Sequence, residues 1–153
     1  MKVKEIMTED PACCTPDATL EQVALMMVEH DCGQIPVVDD ERARRLIGVI
    51  TDRDIVCRAV AQGMNPTQMR ARDVMSAPAI TVGPDMQVED CCKVLEDKQV
   101  RRAPVADEQG QCHGIVSLAD IAQTAPEKLT GEVVRTVSQR TAWASGRENR
   151  RAI

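Results

Sequence analysis

Two short segments of the chain place a hydroxyl side chain three residues before a carboxylate. In residues 48–54 an apolar run ends at Thr51, and in residues 114–120 it ends at Ser117. A hydroxyl that directly follows a buried strand can cap the next helix, which puts the acid in the first helical turn. The helix start then offers unpaired N–H groups to an anion, and the carboxylate can accept hydrogen bonds from paired hydroxyls such as those of a ribose. If only one such segment were present, a hydroxyl that merely caps the helix would be an equally good interpretation.

The chain around these segments is also repeated. Residues that precede the two segments match residues 68 positions later in the chain. The turn that follows is two residues shorter in the second copy, so the segments themselves match at a distance of 66 residues. Self-similarity over some sixty residues is typical of a duplicated unit. The matched pairs are Met7 with Met75, Asp17 with Asp85, Pro36 with Pro104, Asp39 with Asp107 and Asp54 with Asp120. A second copy in register favours a binding role over capping alone.

Each copy is predicted to contain a short strand, a helix, two strands and a helix. Residues 19–22 have the form of a capping box, and apolar residues follow at helical spacing up to Met27. Residues 35–39 and 46–50 are predicted to be antiparallel strands because the connection between them is short. So small a sheet leaves one face exposed, and we expect the copies to pack on each other about a pseudo-twofold axis. The predicted fold class is α/β, of the α+β kind, with two βαββα repeats.

The repeat resembles a tandem pair of CBS domains, the module named after cystathionine β-synthase. The resemblance covers about residues 3–124 and rests on the two glycine-to-aspartate segments and on the strands at 35–39 and 103–107, which both carry a proline. Within that family the chain is similar to stand-alone bacterial members that contain little beyond the pair. The expected organisation is a first repeat at 1–63, a second repeat at 64–124 and a C-terminal part at 125–153.

The resemblance implies a site for an adenosine-containing ligand in the cleft between the repeats. It implies that the two aspartates accept bonds from the ribose hydroxyls, and that adenine lies against segments 35–36 and 103–104, held by backbone groups. Arginines near the motifs suit phosphate oxygens. The expected ligand is AMP, ADP, ATP or a related adenosyl compound, and no cofactor is required. The expected nucleotide-binding residues are Ile35, Pro36, Thr51, Arg53, Asp54, Arg102, Ala103, Pro104, Ser117, Ala119 and Asp120.

Residues 125–153 fall outside the resemblance. Pro126 suits the first turn of a helix, and Leu129, Val133, Val134 and Val137 form an apolar stripe, which predicts an amphipathic helix over 127–139. We expect this helix to pack on the repeat pair or across a dimer. Beyond it the composition is that of a loose basic tail, in which Trp143 could anchor the chain to an apolar surface.

The composition of the chain argues against a membrane-spanning, a secreted or a nucleic-acid-binding protein. A chain of 153 residues with 43% hydrophobic content can fill one ordinary core or two small ones. No apolar run approaches the roughly 20 residues of a membrane span, and the first residues lack the apolar region of a signal peptide. A cytoplasmic protein without a membrane partner is therefore expected. The net charge of −5 and the single aromatic residue argue against nucleic-acid binding.

The seven cysteines show neither the pattern of a secreted disulfide protein nor zinc-type spacing, so no metal site is predicted. Cys57, Cys91 and Cys92 fall where helical patterns need apolar residues, and we expect them in the core. An alternative function is a redox or metal sensor. Its candidate residues are Cys13, Cys14, Cys32, Cys112 and the two histidines.

The sequence contains no recognisable catalytic constellation. His30 and His113 occupy unmatched positions in the repeats, and no glycine-rich lysine loop for phosphates is present. We therefore expect no enzyme but a regulatory module that binds an adenine nucleotide and forms a homodimer. It would signal to an unidentified protein partner by a shift between two arrangements of the repeats. A structural dimerisation unit with empty clefts is a third hypothesis.

Overall fold

The structure is a computed structural model that describes residues 1–139. The predicted basic tail, with Trp143, lies outside the described residues. Within 1–139 the helices are Leu20–Glu29 (α1), Asp52–Arg58 (α2), Ala71–Val74 (α3), Val88–Lys98 (α4), Leu118–Thr124 (α5) and Glu127–Val137 (α6). The strands are Thr8–Glu9 (β1), Gln34–Val38 (β2), Leu46–Thr51 (β3), Arg102–Ala106 (β4) and Cys112–Ser117 (β5). Short 3₁₀ turns cover Val3–Glu5, Val60–Gln62 and Pro66–Gln68.

Two antiparallel hairpins form the two halves in matching register. In the first hairpin, β2 pairs with β3 and Gln34 lies opposite Thr51. In the second, β4 pairs with β5 and Arg102 lies opposite Ser117. Each hairpin also has a register shift near the end of its first strand. The predicted mixed fold with two repeats is confirmed, and the residue opposite each motif hydroxyl occupies the same position in both hairpins.

The predicted first strand of each copy is reduced to a single parallel bridge. Cys14 bridges Val37 in the first half, and Val82 bridges Val105 in the second. Backbone bonds hold the first of these firmly, since Val38 donates its N–H to Cys14 O at 2.8 Å. The chain therefore enters each half along the hairpin's first strand before it turns into the helix.

The segments that precede the repeats are exchanged between the halves. β1 pairs with β5 of the second half, and Val3 donates its N–H to Met86 O at 2.9 Å. In the same way, the segment before the second repeat pairs with β3 of the first half. The Ser76 N–H donates to Val49 O at 2.8 Å, and the Val49 N–H donates to Ser76 O at 3.0 Å. Each half is therefore completed by a segment that precedes the other repeat in sequence.

This exchange explains why each motif begins with glycine. A Cβ atom on Gly48 would lie 2.6 Å from Ser76 O, and one on Gly114 would lie 2.9 Å from Thr8 O. Both distances are shorter than van der Waals contact, and a backbone atom cannot rotate away as a side chain can. Glycine at these positions therefore admits the backbone of the exchanged segment.

Each half has its own aliphatic core. The first core is formed mainly by Leu20, Val23, Ile35, Val37, Ile50 and Val74. The second is formed mainly by Val3, Leu95, Val105, Val116, Ile121 and Val133. Cys91 and Cys92 are buried in the second core as predicted. The prediction for Cys57 is wrong, because α2 has no fully buried residue and Cys57 is only partly buried.

The C-terminal helix α6 packs on the second half, which is one of the two predicted arrangements. Val133 and Val137 are buried in the second core, and Leu129 is partly buried against it. Gln99 Nε2 donates to Thr136 O at 3.0 Å and ties α6 to the end of α4. None of the helices in the described range has the length and apolar character needed to cross a membrane.

Candidate functional site

The turn from β5 into α5 presents a hydroxyl and a carboxylate together. The Asp120 N–H donates to Ser117 Oγ at 3.3 Å, and the Ser117 N–H donates to Asp120 Oδ2 at 2.7 Å. Ser117 Oγ also donates to Asp120 Oδ2 at 2.7 Å. Within residues 1–139, the bonds made to this carboxylate use Oδ2 and leave Oδ1 unpaired. The predicted helix cap is confirmed, and it still leaves one carboxylate oxygen able to accept a bond from a ligand.

This turn borders a cavity of about 840 Å³ between the two halves. Cavities of this size commonly hold small molecules and cofactors. The first half contributes the segment after β1 and the turn between α1 and β2. The lining residues are Thr8, Glu9, Asp10, Pro11, Ala12, His30, Asp31, Cys32, Gln34, Arg101, Arg102, Ile115, Ser117, Leu118, Ala119, Asp120, Val134 and Ser138. We call this the large cavity.

The first motif borders a second cavity of only about 190 Å³, the small cavity. Asp54 donates its N–H to Thr51 Oγ1 at 3.0 Å, and Thr51 donates its N–H to Asp54 Oδ2 at 2.9 Å, so the cap is the same. Asp54 Oδ1, however, faces Arg58 Nη2 at 3.8 Å. The matching position in α5 is Thr124, which carries no charge. The two motif carboxylates therefore differ in what they can offer a ligand.

The difference in volume follows from the side chains at matching positions. Ala12 and Cys32 of the large cavity correspond to Ile80 and Val100 of the small one. The larger side chains occupy the space that a ligand would need. Helix α6 follows the second repeat in the chain and lines the large cavity through Val134, but it does not line the small one. The clefts are thus related by duplication but are not equivalent.

Gln34 and Arg102 lie where the two cavities meet, and each lines both of them. Gln34 is only 6% exposed, and its Oε1 has no hydrogen-bond partner among the described residues. A buried amide oxygen without a partner costs about 1 to 3 kcal/mol. A ligand that brought a donor to this oxygen would recover that cost, so the position of Gln34 indicates a polar ligand.

Most of the predicted site residues line one of these cavities. Arg102, Ser117, Ala119 and Asp120 line the large cavity. Thr51, Asp54, Arg102 and Pro104 line the small cavity. Arg102 lines both cavities, so one arginine is within reach of both clefts.

Four predicted residues lie elsewhere. Ile35 and Ala103 have no exposed surface, because their side chains point into the first and second cores. Any contact of these two residues with adenine would have to use backbone atoms. Pro36 is buried and lines neither cavity, and Arg53 is exposed and also lines neither. The contacts of these four residues with a ligand stay predictions.

The contribution of the first half to the large cavity was not predicted. Asp10 and Ala12 reach it because β1 is paired with β5, and His30 reaches it from the turn after α1. Nothing in the local pattern of these residues indicates a cleft. The available signal was the repeat, since residues 8–12 match residues 76–80, which contribute Ser76 and Ile80 to the small cavity.

Charged side chains of both signs line the large cavity. The cationic residues are Arg101 and Arg102, with His30 beside them in the lining. The carboxylates are Glu9, Asp10, Asp31 and Asp120. Among residues 1–139, no three side chains of the kinds that bind metal ions come together.

Comparison with known proteins gives one consistent family. The CBS domain model matches residues 3–60 and 71–127. Protein MK0525 of Methanopyrus kandleri is 40% identical over 126 residues, which cover 82% of this chain but only 63% of that protein. Hypoxic response protein 1 of Mycobacterium tuberculosis is 34% identical over 142 residues, which cover 93% of this chain and 97% of that protein.

Solved structures share the fold. The crystal structure of Hypoxic Response Protein I with two coordinated zinc ions has a TM-score of 0.73 and 35% identity, over 82% of this chain and 100% of that chain. The CBS domain pair of protein MJ0100, in complex with 5′-methylthioadenosine and S-adenosyl-L-methionine, has a TM-score of 0.71 and 26% identity, over 80% and 94% of the chains. Together with the family match over both repeats, these findings show that the chain belongs to the CBS domain family as a tandem pair of repeats.

Proposed function

We propose that this CBS pair is a regulatory module that binds an adenosine-containing ligand beside Ser117 and Asp120 and signals its presence to a separate protein partner. The observation that carries the proposal is the large cavity, because it is lined by Asp120, whose Oδ1 is unpaired among the described residues, and by Gln34, whose Oε1 has no partner among them. Two acceptors in one nucleoside-sized cavity suit a ligand that is rich in hydroxyl and amino donors. A nucleoside carries both kinds of donor.

Asp120 would accept the ribose hydroxyls. Hydrogen bonds to a charged group are worth about 1.5 to 3 kcal/mol each, so the loss of one costs roughly tenfold or more in affinity. Ser117 caps α5 and fixes the carboxylate at the same time. The ribose would therefore meet a carboxylate that is already held in place before the ligand arrives.

The charges of the lining favour a ligand with few phosphates. Arg101 and Arg102 can neutralise a monophosphate, but the large cavity also holds four carboxylates that would repel a triphosphate. We therefore expect AMP, or an uncharged or cationic adenosyl compound, to bind more tightly than ATP. The adenosyl ligands in the MJ0100 complex support this class of ligand.

Signalling would use the contact between halves. The large cavity takes its walls from both halves and from α6, so a bound ligand would favour arrangements that bring these walls together. We also propose a homodimer, because exposed apolar side chains gather on α1 and around α2. These are Leu25, Val28, Val56 and Val60.

A ligand screen tests the proposal. Native mass spectrometry of the purified protein would show any copurified small molecule, and thermal unfolding would be followed with AMP, ADP, ATP and S-adenosylmethionine, with GMP as the control. We expect AMP or the adenosyl compound to raise the unfolding temperature most, and GMP least. No shift with any adenosine compound, and no copurified ligand, would favour the structural dimerisation unit instead.

A further inference from the structure

A cluster of reactive side chains lies outside the large cavity, where the two halves meet. Arg44, in the turn between β2 and β3, donates from Nη2 to Cys13 Sγ at 3.2 Å and to Pro11 O at 2.7 Å. Its Nη1 forms an ion pair with Asp10. The thiol of Cys112, at the start of β5, lies beside the Cys13 sulfur. The cluster therefore joins a loop of the first half to a strand of the second.

The backbone holds Arg44 in this position. Cys112 donates its N–H to Arg44 O at 2.9 Å, and Leu46 donates its N–H to Gly110 O at 2.8 Å. Arg44 itself has a φ of 50°, in the left-handed region that only a minority of non-glycine residues adopt. The turn is thus fixed against β5, and the Arg44 side chain starts from a fixed backbone position next to Cys112.

These neighbours set Cys13 apart from the buried cysteines. Hydrogen bonding from the Cys112 thiol, and then from Arg44, lowers the pKa of Cys13 to about 7, against the opposing effects of burial and Asp10. Burial raises the pKa of Cys14 and of Cys91 to about 12. The thiolate is the nucleophilic form of cysteine, so near neutral pH Cys13 is the activated thiol of this set.

We infer that Cys13 and Cys112 form a redox-reactive thiol pair, in which Cys13 is the nucleophile and Cys112 the resolving thiol, and that the oxidised product is a disulfide between the two halves. The inference rests on the contact of Arg44 with the Cys13 sulfur, on the partial exposure of Cys13, and on the backbone bond from Cys112 to Arg44, which brings both cysteines to the same arginine. It does not depend on what the large cavity binds.

The chemistry needs a hydroperoxide as the oxidant. The Cys13 thiolate attacks one peroxide oxygen, the O–O bond breaks, and hydroxide leaves, which yields a sulfenic acid on Cys13. The Cys112 sulfur then attacks the Cys13 sulfur, the S–S bond forms, and the sulfenic oxygen leaves as water with the Cys112 proton. Cys112 is a poor nucleophile while Cys13 is a thiolate, because its hydrogen bond to Cys13, then its burial and the charge of Cys13, raise the pKa of Cys112. Oxidation of Cys13 removes the charge, so the second step becomes possible only after the first.

The disulfide would affect the large cavity directly. Asp10, Pro11 and Ala12 line that cavity and immediately precede Cys13 in the chain. Asp10 and Pro11 are also held by Arg44, whose bond to the Cys13 sulfur changes when that sulfur is oxidised. Oxidation would therefore alter the wall of the ligand cleft.

The test uses the reduced full-length protein and hydrogen peroxide. We expect a mass loss of about 2 Da, and a peptide map that joins Cys13 to Cys112. Cys112→Ser should stop at the sulfenic acid on Cys13, which a dimedone probe captures, and Cys57→Ser serves as the control that still forms the bond. Labelling of Cys13 by iodoacetamide at pH 7 should slow roughly tenfold in Arg44→Gln, with Arg42→Gln as the matched control.

Other outcomes would overturn the inference. A disulfide that joins any other pair first, or iodoacetamide labelling in which Cys57 or Cys32 outpaces Cys13, would contradict the assignment of the nucleophile. Equal labelling rates for the wild type and Arg44→Gln would show that the guanidinium does not activate the thiol. Circular dichroism of each variant establishes that it is folded, and the labelling rates are compared among folded proteins only.

Discussion

Gln34 and Arg102 occupy the same position in two hairpins, each directly opposite its motif hydroxyl, and both line the two cavities. Gln34 is 6% exposed and brings a neutral acceptor without a partner, whereas Arg102 is partly exposed and brings a cation. The two repeats thus carry different side chains at the matching position where the two cavities meet. The same ligand cannot make the same contacts in both.

Replacing Gln34 with leucine should separate stability from binding. Leucine has a similar volume and removes the unpartnered oxygen, so the free energy of unfolding without ligand should rise by about 1 kcal/mol. Affinity for the ligand should fall roughly tenfold, because a hydrogen bond to the ligand is lost. Urea denaturation and calorimetry measure the two effects, and Gln109→Leu on the exposed surface is the control. A destabilised Gln34→Leu protein would mean that the amide is satisfied in the folded state.

The motif glycines should not tolerate even one added methyl group. Gly48→Ala and Gly114→Ala force Cβ against a backbone oxygen of the exchanged segment, and each should lower the free energy of unfolding by about 2 kcal/mol or more. A Cβ on Gly83 would meet nothing within 4 Å, so Gly83→Ala should stay within about 0.5 kcal/mol of the wild type. Similar urea midpoints for Gly48→Ala and Gly83→Ala would contradict the close approach.

Much of the fold follows from local patterns in the sequence. The capping box at Thr19, the helical spacing after it and the short turn before Leu46 define α1 and the first hairpin, and the repeat extends them to the second half. The apolar stripe of Leu129, Val133, Val134 and Val137 likewise predicts α6, and all of it but Val134, which is 39% exposed, packs on the second core.

The exchange of segments could not be predicted in the same way. β1 has two residues and pairs with β5, more than a hundred residues later, so its partner is chosen by tertiary packing and not by its own pattern. The unequal cavities depend on that exchange, because Ala12 and Ile80 reach their clefts through it. For Ile35 and Ala103 the resemblance gives the segment but not which side chains face the core, and both side chains are buried in the cores.

The N-terminal residues should be held to the second half by a pH-dependent contact. Hydrogen bonds from Lys2 and then Lys4, each at 2.8 Å, lower the pKa of Asp85 to about 2. An unfolded aspartate has a pKa of about 3.9, so the stabilisation is complete above that value and is lost as the pH falls towards 2. Asp85→Asn should therefore lower the unfolding temperature at pH 6, and the difference from the wild type should shrink steadily as the pH falls from about 4 through about 2. A difference at pH 2 as large as that at pH 6 would have another cause.

The proposed dimer face can be tested at one exposed position. Val28 on α1 is 78% exposed, which leaves an aliphatic side chain in water unless a second molecule covers it. Val28→Glu should convert the dimer to a monomer in sedimentation velocity at micromolar concentration, while Gln109→Glu on another surface should remain dimeric. A wild-type protein that is already monomeric would rule out the homodimer.

Calorimetric titration of AMP into Asp120→Asn and Asp54→Asn tests the central claim most directly. The substitution keeps the side-chain shape and removes the charge, and urea denaturation establishes that both variants fold. Because the large cavity is beside Asp120 and Asp54 already faces Arg58, we expect one AMP per wild-type chain, a loss of tenfold or more in affinity for Asp120→Asn, and little change for Asp54→Asn. Equal effects of the two substitutions, or an unchanged dissociation constant for Asp120→Asn, would show that the ribose does not bind where we place it.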